Sequence, residues 1–422
     1  MDHFAYRNGE LWCDEAPARE LAERHGTPLY VYCARTIRHH FAVLEAAFGG
    51  ARPQPLICYS VKANSNLAVL RLLAELGAGF DVVSGGELQR VLEAGGRPER
   101  IVYAGVGKTE SEIDAAMAAG IFLFNVESEP ELARISASAT RHRRVAAVAL
   151  RVNPDVDPRT HRYITTGKRE NKFGVDLEQA AGVLARAAEF RNLEVAGLHV
   201  HLGSQITEVA PYAQAIAKVL EFASSLRPRP PLRWLDIGGG FGAHYRAHEG
   251  LPPQAFAEAI LPLVASSGLG LILEPGRLIL ANAGVLLTRI VTLKESGGRR
   301  FAICDAGMND LIRPSLYQAY HRIWPVRSAN RPATEEDATG DVDIVGPICE
   351  SADFLGRDRR LPTDVRAGDV LAVFTTGAYG FSMASNYNTR GRAAEVMVDG
   401  ADARVIRRRE SYEDQVRLER AP

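Results

Sequence analysis

Residues 56–64 read LICYSVKAN, a short apolar strand that ends just before Lys62. A helical pattern starts soon afterwards, at Leu67, so this stretch has the order of a βα unit. An amine that follows such a strand faces the pocket at the strand's C-terminal end and not bulk water. Lys62 is therefore the first candidate for a functional side chain.

The same order recurs between residues 55 and 275, where eight short apolar strands alternate with segments of helical period. The predicted strands are Leu56–Ser60, Phe80–Val83, Arg100–Tyr103, Phe122–Val126, Val145–Val152, Val195–His201, Arg233–Ile237 and Leu269–Leu273. The clearest predicted helices are Leu67–Leu76, Glu87–Ala94, Glu110–Ala119, Leu177–Ala188 and Pro211–Leu226. Eight βα units predict a TIM (β/α)8 barrel, an α/β fold.

After Gly284 the pattern changes to β-rich runs between Gly, Pro and Asp turns, with a helical stretch near Leu316–His321. The predicted strands there are Val285–Leu293, Arg300–Asp305, Asp341–Ile348, Asp369–Phe374, Ala394–Val398 and Ala403–Arg408. Residues 27–32 (TPLYVY) form a further strand that can complete their sheet. We therefore predict a barrel over residues 36–284 and a second, mainly β domain of sandwich or barrel type from residues 1–35 with 285–422.

Composition and charge exclude several classes of protein. The chain has 422 residues, 46% of them hydrophobic, which is enough for two domains with cores of their own. A formal net charge of -1 gives no overall field for nucleic acid or anionic lipid. Five cysteines without a C-x-x-C pair favour neither a disulfide framework nor a zinc site. Residues 1–7 (MDHFAYR) do not have the pattern of a secretion signal and the longest apolar stretch contains charges, so we expect a cytoplasmic protein without membrane contact.

Candidate functional residues fall at the C-terminal ends of the predicted strands, where a barrel enzyme has its active site. They are Lys62, Ser84, Asn153, His201, Gly238 and Glu274. A random scatter of polar residues would not follow strand polarity, so the coincidence is informative. It outweighs the usual fate of a lone lysine, which is solvation.

These residues suit a site for pyridoxal 5'-phosphate (PLP). Lys62 can form an imine with the cofactor, and Glu274 can keep the pyridine ring protonated as an electron sink. Backbone N–H groups at Gly238, Gly239 and Gly240 can bind the phosphate, although such a run is as often a tight turn. His201 can lie flat against the ring, with Ser204 near the phosphate.

Other interpretations of these residues stay open. Glu274 can be an ion-pair partner of Arg277, and the pair His199 and His201 can bind a metal as in barrel hydrolases. We rank the metal site low, because no carboxylate at another strand end completes the ligand set in the sequence. In the β domain, an arginine, a Cys-Glu pair and a glycine-flanked tyrosine can also carry chemistry. They are Arg313, Cys349 with Glu350, and Tyr379.

Taken in order, the motifs resemble those of the diaminopimelate decarboxylases, PLP enzymes of the alanine-racemase-like (fold-type III) class. The matching segments are 59–64 (YSVKAN), 80–87 (FDVVSGGE), 199–205 (HVHLGSQ), 274–277 (EPGR), 305–314 (DAGMNDLIRP), 349–351 (CES) and 377–380 (GAYG). The resemblance spans nearly the whole chain. Ornithine and arginine decarboxylases of the same fold share the Lys, His, Gly-rich and EPGR segments but not the 309–314 stretch in this form.

The resemblance implies a role for each candidate. Lys62 would be the Schiff-base lysine, His201 would stack on the cofactor and Glu274 would meet the pyridine nitrogen. The cofactor contacts would also include Ser84, Ser204, Gly238, Gly239, Gly240, Gly276, Arg277 and Tyr379. The substrate contacts would be Arg277, Arg313, Tyr317, Glu350 and Tyr379. Cys349 would protonate Cα and reach the site from the second subunit of a homodimer.

The implied reaction is decarboxylation of meso-2,6-diaminopimelate to L-lysine and CO2, the last step of lysine synthesis. A first alternative is a decarboxylase of the same fold that acts on another amino acid in a specialised pathway, and Arg313 discriminates because a second carboxylate requires a cation. Two further alternatives are a PLP carrier without turnover and a metal-dependent hydrolase. The first of these leaves the Cys349–Glu350 pair without a purpose.

Overall fold

The computed structural model describes residues 3–157, 172–187, 189–227, 230–246, 250–327, 338 and 340–420. The chain divides into two units. One consists of Met1–His39, His244–Glu249 and Ile279–Pro422, and the other of His40–Ala243 and Gly250–Leu278. We call them the β unit and the barrel unit.

The chain begins with a small antiparallel sheet and two helices. Its elements are β1 (Phe4–Arg7), β2 (Glu10–Cys13), β3 (Ala16–Pro17), α1 (Ala18–His25), β4 (Leu29–Cys33) and α2 (Ala34–Phe48). Helix α1 buries Ala18, Leu21 and Ala22, which share one face at helical spacing. It ends at Gly26, whose φ of 72° is one that glycine adopts without strain.

Within the described residues, the barrel unit contains nine strands, all paired in parallel. They are β5 (Leu56–Ser60), β6 (Gly79–Val82), β7 (Ile101–Tyr103), β8 (Leu123–Val126), β9 (Ala146–Asn153), β10 (Val175–Asp176), β11 (Leu193–His199), β12 (Trp234–Asp236) and β13 (Gly270–Leu273). Strand β10 pairs only with the edge of β9. The other eight close a ring, because β8 pairs with β9 and β13 pairs with β5. The predicted (β/α)8 barrel is confirmed.

Helices follow the barrel strands. They are α3 (Leu67–Glu75), α4 (Gly85–Glu93), α5 (Glu110–Ala119), α6 (Glu129–His142), α7 (Leu177–Ala187), α8 (Ala210–Ser225), α9 (Pro253–Ala265) and the short α10 (Arg277–Leu280). Local chemistry sets their ends. Helix α5, for example, starts with a capping box in which Thr109 and Glu112 each bind the other's backbone N–H.

Small and apolar side chains fill the inside of the barrel. One cluster consists of Leu56, Cys58, Val102, Leu123, Ala149, Ala196 and Ile272. The packing leaves no space at Gly79, where a Cβ atom would lie 2.8 Å from the Sγ atom of Cys58. A filled interior means that chemistry is confined to the strand ends.

The remaining strands of the described residues and two short helices belong to the β unit. They are β14 (Gly284–Ser296), β15 (Arg299–Cys304), α11 (Arg313–Tyr317), β16 (Ile323–Pro325), β17 (Gly340–Val345), β18 (Phe354–Leu361), β19 (Val370–Val373), β20 (Ala394–Asp399), β21 (Asp402–Arg407) and α12 (Tyr412–Val416). The sheet order is β18-β17-β15-β14-β4-β20-β21, with β19 also on β14 and β16 on β19. Strand β4 thus completes this sheet, as its sequence predicted.

The mainly β character of this unit is confirmed, but several of its elements differ from the sequence prediction. Strands β16 and β18 were not predicted, because the first has three residues with a proline and the second carries four charged residues. The helix predicted near 316–321 instead covers Arg313–Tyr317, and it stops where Gln318 takes a φ of 54°. In the described part of the chain, no helix is long and apolar enough to span a membrane.

Candidate active site

Lys62 lies in a single helical turn directly after β5, at the C-terminal end of the barrel. Its Nζ donates a hydrogen bond to Oδ2 of Asp81 at 2.8 Å, and the Ser60 hydroxyl donates to the same oxygen at 2.6 Å. Asp81 is fully buried on β6, whereas the Lys62 side chain is 38% exposed. The amine is therefore held at a fixed point while it stays accessible.

Glu274 follows β13 and lies in a buried polar cluster. Nδ2 of Asn125 donates to Glu274 Oε1 at 2.9 Å and to Asp236 Oδ2 at 2.8 Å, so one amide links the two carboxylates. The other Asp236 oxygen accepts the backbone N–H of Gly238 at 2.9 Å. His199 Nε2 lies 3.6 Å from Glu274 Oε2. The Glu274 carboxylate is thus held in position from two sides.

The two carboxyl groups of this cluster, those of Glu274 and Asp236, have pKa values that are shifted in opposite directions. Burial by itself would raise the pKa of Glu274, but the charges of His199 and Lys62 outweigh it and hold that pKa below its usual value. Burial and the neighbouring Glu274 charge raise the pKa of Asp236 well above its usual value. The two shifts are opposite in direction, so Glu274 is the carboxyl of the pair that ionises more readily.

His201 lies just beyond the end of β11 and is a neutral ring. Burial, followed by the charges of Arg151 and Lys62, lowers its pKa well below the usual value. Its Nδ1 accepts the backbone N–H of Gly239 at 3.1 Å, so the proton of the neutral ring is on Nε2. The strand itself ends at His199, and the two histidines therefore have different surroundings.

The glycine run 238–240 follows β12 and packs against neighbouring backbone. A Cβ atom at Gly239 would lie 2.2 Å from the carbonyl oxygen of Glu274, and Gly240 has a φ of 101°. The Tyr212 hydroxyl donates to the Gly239 carbonyl at 2.5 Å and fixes the loop from α8. Only glycine suits these positions, and such backbone can approach an anion closely.

A cation and a hydroxyl meet at the start of α10. Nη2 of Arg277 donates to Ser204 Oγ at 3.0 Å, and Arg277 is 6% exposed. Gly276 precedes it and packs closely on the turn that carries Lys62, since a Cβ atom there would lie 3.0 Å from Cβ of Ala63. An arginine, a hydroxyl and a glycine loop on one rim of the barrel have the donor chemistry that a phosphate requires.

Two other strand-end residues have structural partners. Ser84 is the N-cap of α4, and its Oγ accepts the backbone N–H of Glu87 at 3.2 Å. The Asn153 amide donates to the carbonyl of Phe173 at 2.5 Å. The capping role of Ser84 could have been predicted, because Ser-x-x-Glu before an apolar run is a helix-start signature.

In the β unit, Cys349 and Glu350 lie on the surface. Both residues are exposed, so Cys349 is not a buried structural thiol. The backbone N–H of Cys349 donates to Asn388 Oδ1 at 2.9 Å, and the Tyr387 hydroxyl donates to Glu350 Oε1 at 2.5 Å. The two candidates are therefore presented together by one ordered loop.

The same unit contains the other predicted substrate contacts. Arg313 starts α11 and is 7% exposed. Its guanidinium carbon lies 5.3 Å from the ring centre of Tyr245 and 5.7 Å from that of Tyr317, which is cation–π geometry. Tyr379 is half-buried and has a φ of 57°. The structure thus places the Arg313 guanidinium against the rings of Tyr317 and Tyr245.

The sequence also missed residues in the barrel site. Asn125 and Asp81 interrupt apolar strands, and a polar residue at the end of such a strand was the available signal. Arg151 was missed as well, although it forms a buried ion pair with Glu127 at 2.8 Å. The side chains of these residues make contacts across strands. Such contacts depend on the strand register, which the sequence alone does not determine.

The metal interpretation needs a correction. The sequence suggested that no carboxylate completes a ligand set, but His199, Asp236 and Glu274 place potential ligand atoms within 4.8 Å of one another. The second histidine of the pair is not among them, since His201 accepts a backbone N–H. The Asn125 amide also lies between the two carboxylates and donates to both. The hydrogen bonds from Asn125 therefore account for the position of both carboxylates without an ion.

The barrel site has the groups that PLP requires. It combines an accessible amine, a buried ionised carboxylate, a neutral imidazole and a phosphate-type rim. Among the described residues, the buried atoms Asp81 Oδ1, Asn125 Oδ1 and both ring nitrogens of His199 have no hydrogen-bond partner. Such buried polar atoms are costly unless a bound molecule pairs with them.

Comparison with known proteins identifies the family. Residues 34–281 match the family described as pyridoxal-dependent decarboxylase, pyridoxal binding domain. The chain is 50% identical to a diaminopimelate decarboxylase of Vibrio cholerae, over 97% of both chains. It is 48% identical to one of Aquifex aeolicus, over 97% of this chain and 96% of the relative.

Solved structures of diaminopimelate decarboxylases are also similar to this chain. The enzyme of M. jannaschii in complex with L-lysine is 38% identical, with a TM-score of 0.93 over 100% of this chain and 98% of that chain. The enzyme of Helicobacter pylori in complex with L-lysine is 42% identical, with a TM-score of 0.89 over 95% and 99%. The family resemblance of the sequence motifs is confirmed, and the chain belongs to the diaminopimelate decarboxylases, a family of pyridoxal-dependent decarboxylases.

Proposed function

We propose that this protein decarboxylates meso-2,6-diaminopimelate to L-lysine and CO2, with PLP as cofactor, as the last step of lysine synthesis. The observation that carries the proposal is the joint placement of Lys62, Glu274, His201 and Arg277 at one end of the barrel in a chain of this family. A cytoplasmic location is part of the proposal, and five cysteines without a disulfide support it.

When bound, PLP supplies a protonated ring that accepts the electron pair left as the bond from Cα to the carboxylate breaks. The residues of this chain do the rest. Lys62 Nζ would be the amine that holds the cofactor covalently, and Glu274 would keep the proton on its pyridine nitrogen. His201, as a neutral ring, would contact the cofactor without adding a positive charge that competes with the protonated pyridine for electrons.

The phosphate is assigned to the rim described above. Arg277 and Ser204 donate side-chain hydrogen bonds. In the 238–240 loop the N–H groups of Gly238 and Gly239 already donate to Asp236 and His201, so the backbone donor assigned to the phosphate is that of Gly240. Ser84, Gly276 and Tyr379 are assigned supporting roles at the cofactor site. Ser84 fixes the start of α4, and Gly276 lets Arg277 approach the Lys62 turn. Tyr379 is a further phosphate and substrate contact supported by the family motif alone.

The substrate has an amino-acid group at each end, one of D and one of L configuration. Since the product is L-lysine, the D centre loses its carboxylate and the L centre keeps its own. The carboxylate at this distal end requires a cation, which we assign to Arg313 because a guanidinium binds a carboxylate through two nitrogen atoms. Arg277, Tyr317 and Glu350 complete the proposed substrate contacts.

The direct test is CO2 release from a panel of amino acids with added PLP. We expect meso-diaminopimelate to be the preferred substrate. Preference for a compound with no distal carboxylate, such as ornithine or D-lysine, would instead favour the same-fold decarboxylase of a specialised pathway. No CO2 from any member of the panel, with PLP bound, would favour a carrier protein.

Arg313→Ala should weaken substrate binding more than chemistry. We expect KM for diaminopimelate to rise about a hundredfold, because removing one member of a buried charge pair is costly, while PLP binding stays as in wild type. Discrimination against D-lysine should fall. Arg313→Lys is the matched control and should be intermediate, since it keeps the charge but not the two-point contact. An unchanged substrate preference in Arg313→Ala would contradict the assignment.

Cys349 is proposed as the acid that gives Cα its proton, from the second subunit of a homodimer. The support is an exposed thiol beside an exposed carboxylate, a position in which another chain can cover both. A symmetric dimer would then have two shared sites. Cys349→Ala alone should lose most activity while it keeps PLP.

Mixing two inactive variants tests the shared site. If Lys62 and Cys349 of one site come from different chains, Lys62→Ala mixed with Cys349→Ala can form one intact site per mixed dimer. Random exchange makes half of the dimers mixed, so activity should return to about a quarter of wild type. Proven subunit exchange without any recovery would mean that both residues act within one chain.

A further inference from the structure

His321, which the motifs did not single out, lies behind Arg313 in the β unit. The residue is fully buried between α11 and β16. Its ring lies edge-on to the Tyr245 ring, with centres 5.3 Å apart and planes at 88°. Its backbone carbonyl accepts Nη2 of Arg359 at 2.6 Å. The position of the imidazole is therefore fixed from several sides.

The hydrogen bonds of the ring define its protonation. Nδ1 lies 2.9 Å from the carbonyl oxygen of Phe374, which can only accept, so Nδ1 carries a proton. Nε2 faces Nε of Arg313 at 3.4 Å, and a guanidinium can only donate. Nε2 must then be the unprotonated nitrogen of a neutral ring. One imidazole thus connects the backbone of the unit to the arginine.

This contact constrains the direction of the guanidinium. A bond to Nε restricts rotation of the planar group, and the rings of Tyr245 and Tyr317 restrict its tilt. Two-point binding of a carboxylate depends on that plane, because both N–H···O bonds must align at once. An arginine that samples several orientations pays for its ordering when substrate binds.

We infer that His321 is a positioning residue for substrate selection, which holds the Arg313 guanidinium in the orientation that takes the distal carboxylate. The inference rests on the proposed function, in which Arg313 contacts that carboxylate. It assigns His321 no contact with substrate or cofactor. Its effect should therefore pass through Arg313 alone.

Two substitutions separate this role from a structural one. His321→Gln places an acceptor near the position of Nε2 and can keep the bond to Arg313, but loses the one to Phe374. His321→Asn has the opposite effect, since its amide reaches the position of Nδ1. We expect His321→Asn to raise KM for diaminopimelate, and the Kd of L-lysine measured without turnover, about tenfold. His321→Gln should stay closer to wild type, and kcat should change little in both.

A merely structural histidine predicts the reverse order, with His321→Gln the more damaging because it loses the bond to the backbone. That order would overturn the inference, as would equal KM values in both variants and wild type. Melting temperatures identify any variant whose fold is compromised.

A double substitution gives the second readout. In an Arg313→Ala background, adding His321→Asn should change KM and L-lysine affinity no further, because the group it orients is already absent. An additional loss would mean that His321 acts independently of Arg313 and would contradict the inference. Absence of activity on diaminopimelate in wild type is a different outcome, since it would reject the proposed function itself.

Discussion

Lys62→Ala should reduce CO2 release at least about a thousandfold, because no other described side chain offers an amine at the same point of the barrel. In wild type, Nζ is held by Asp81 and remains accessible. Borohydride treatment of the PLP-loaded enzyme should fix the cofactor permanently to the peptide that contains Lys62. Mass spectrometry of the digest measures this directly.

Exposed Lys294, on β14, provides the control. Lys294→Ala should keep full activity and the same labelled peptide. Lys62→Ala should retain its fold and take up no covalent label, although the phosphate rim of Arg277 and Ser204 remains. A label recovered on another lysine in wild type would contradict the assignment of Lys62.

Strand polarity made most of the barrel site predictable. Lys62 and Glu274 are more than 200 residues apart in sequence, yet each follows a short apolar strand. Strands β5 and β13 become neighbours only when the ring closes. An eightfold βα repeat predicts that closure, so the sequence predicts that both residues lie at the same end of the barrel.

The cross-strand contacts were beyond prediction for a physical reason. Asn125 binds Asp236 and Glu274 through a single amide, and the three residues come from three different strands or strand ends. Such a bond depends on register and side-chain rotamer, which alternating hydrophobicity does not determine. The metal site was ranked low for the same reason. Without the strand register, the sequence does not show that Asp236 and Glu274 lie close to His199.

In the β unit, the residue composition of each strand decides whether the strand can be predicted. Its strands were predictable where apolar residues dominate, as in β14, and were missed where charges do, as in β18. His321 lies at the end of a stretch predicted as helix, and no sequence motif indicates a role for it. Its partner Phe374 is 53 residues away, beyond what a local pattern can indicate.

Glu274→Gln keeps the shape of the side chain but removes its charge, and we expect turnover to fall at least about a hundredfold. The Asn125 amide can still donate to the remaining carbonyl oxygen, so cofactor binding, measured by absorbance, should persist. The low pKa of Glu274 means that wild type keeps this carboxylate ionised throughout the neutral range. The amide of the Glu274→Gln variant cannot ionise, so raising the pH should not restore the lost activity.

The same variant distinguishes cofactor chemistry from a metal at this cluster. Since His199, Asp236 and Glu274 lie close enough to bind an ion, a metal enzyme would lose activity when dialysed against a chelator. We expect the PLP-loaded wild type to be unaffected by that treatment. Asp236→Asn should be milder than Glu274→Gln, because burial and the neighbouring Glu274 charge raise the pKa of Asp236 and disfavour its ionised form. Equal losses in the two variants together with chelator sensitivity would instead place a metal between them.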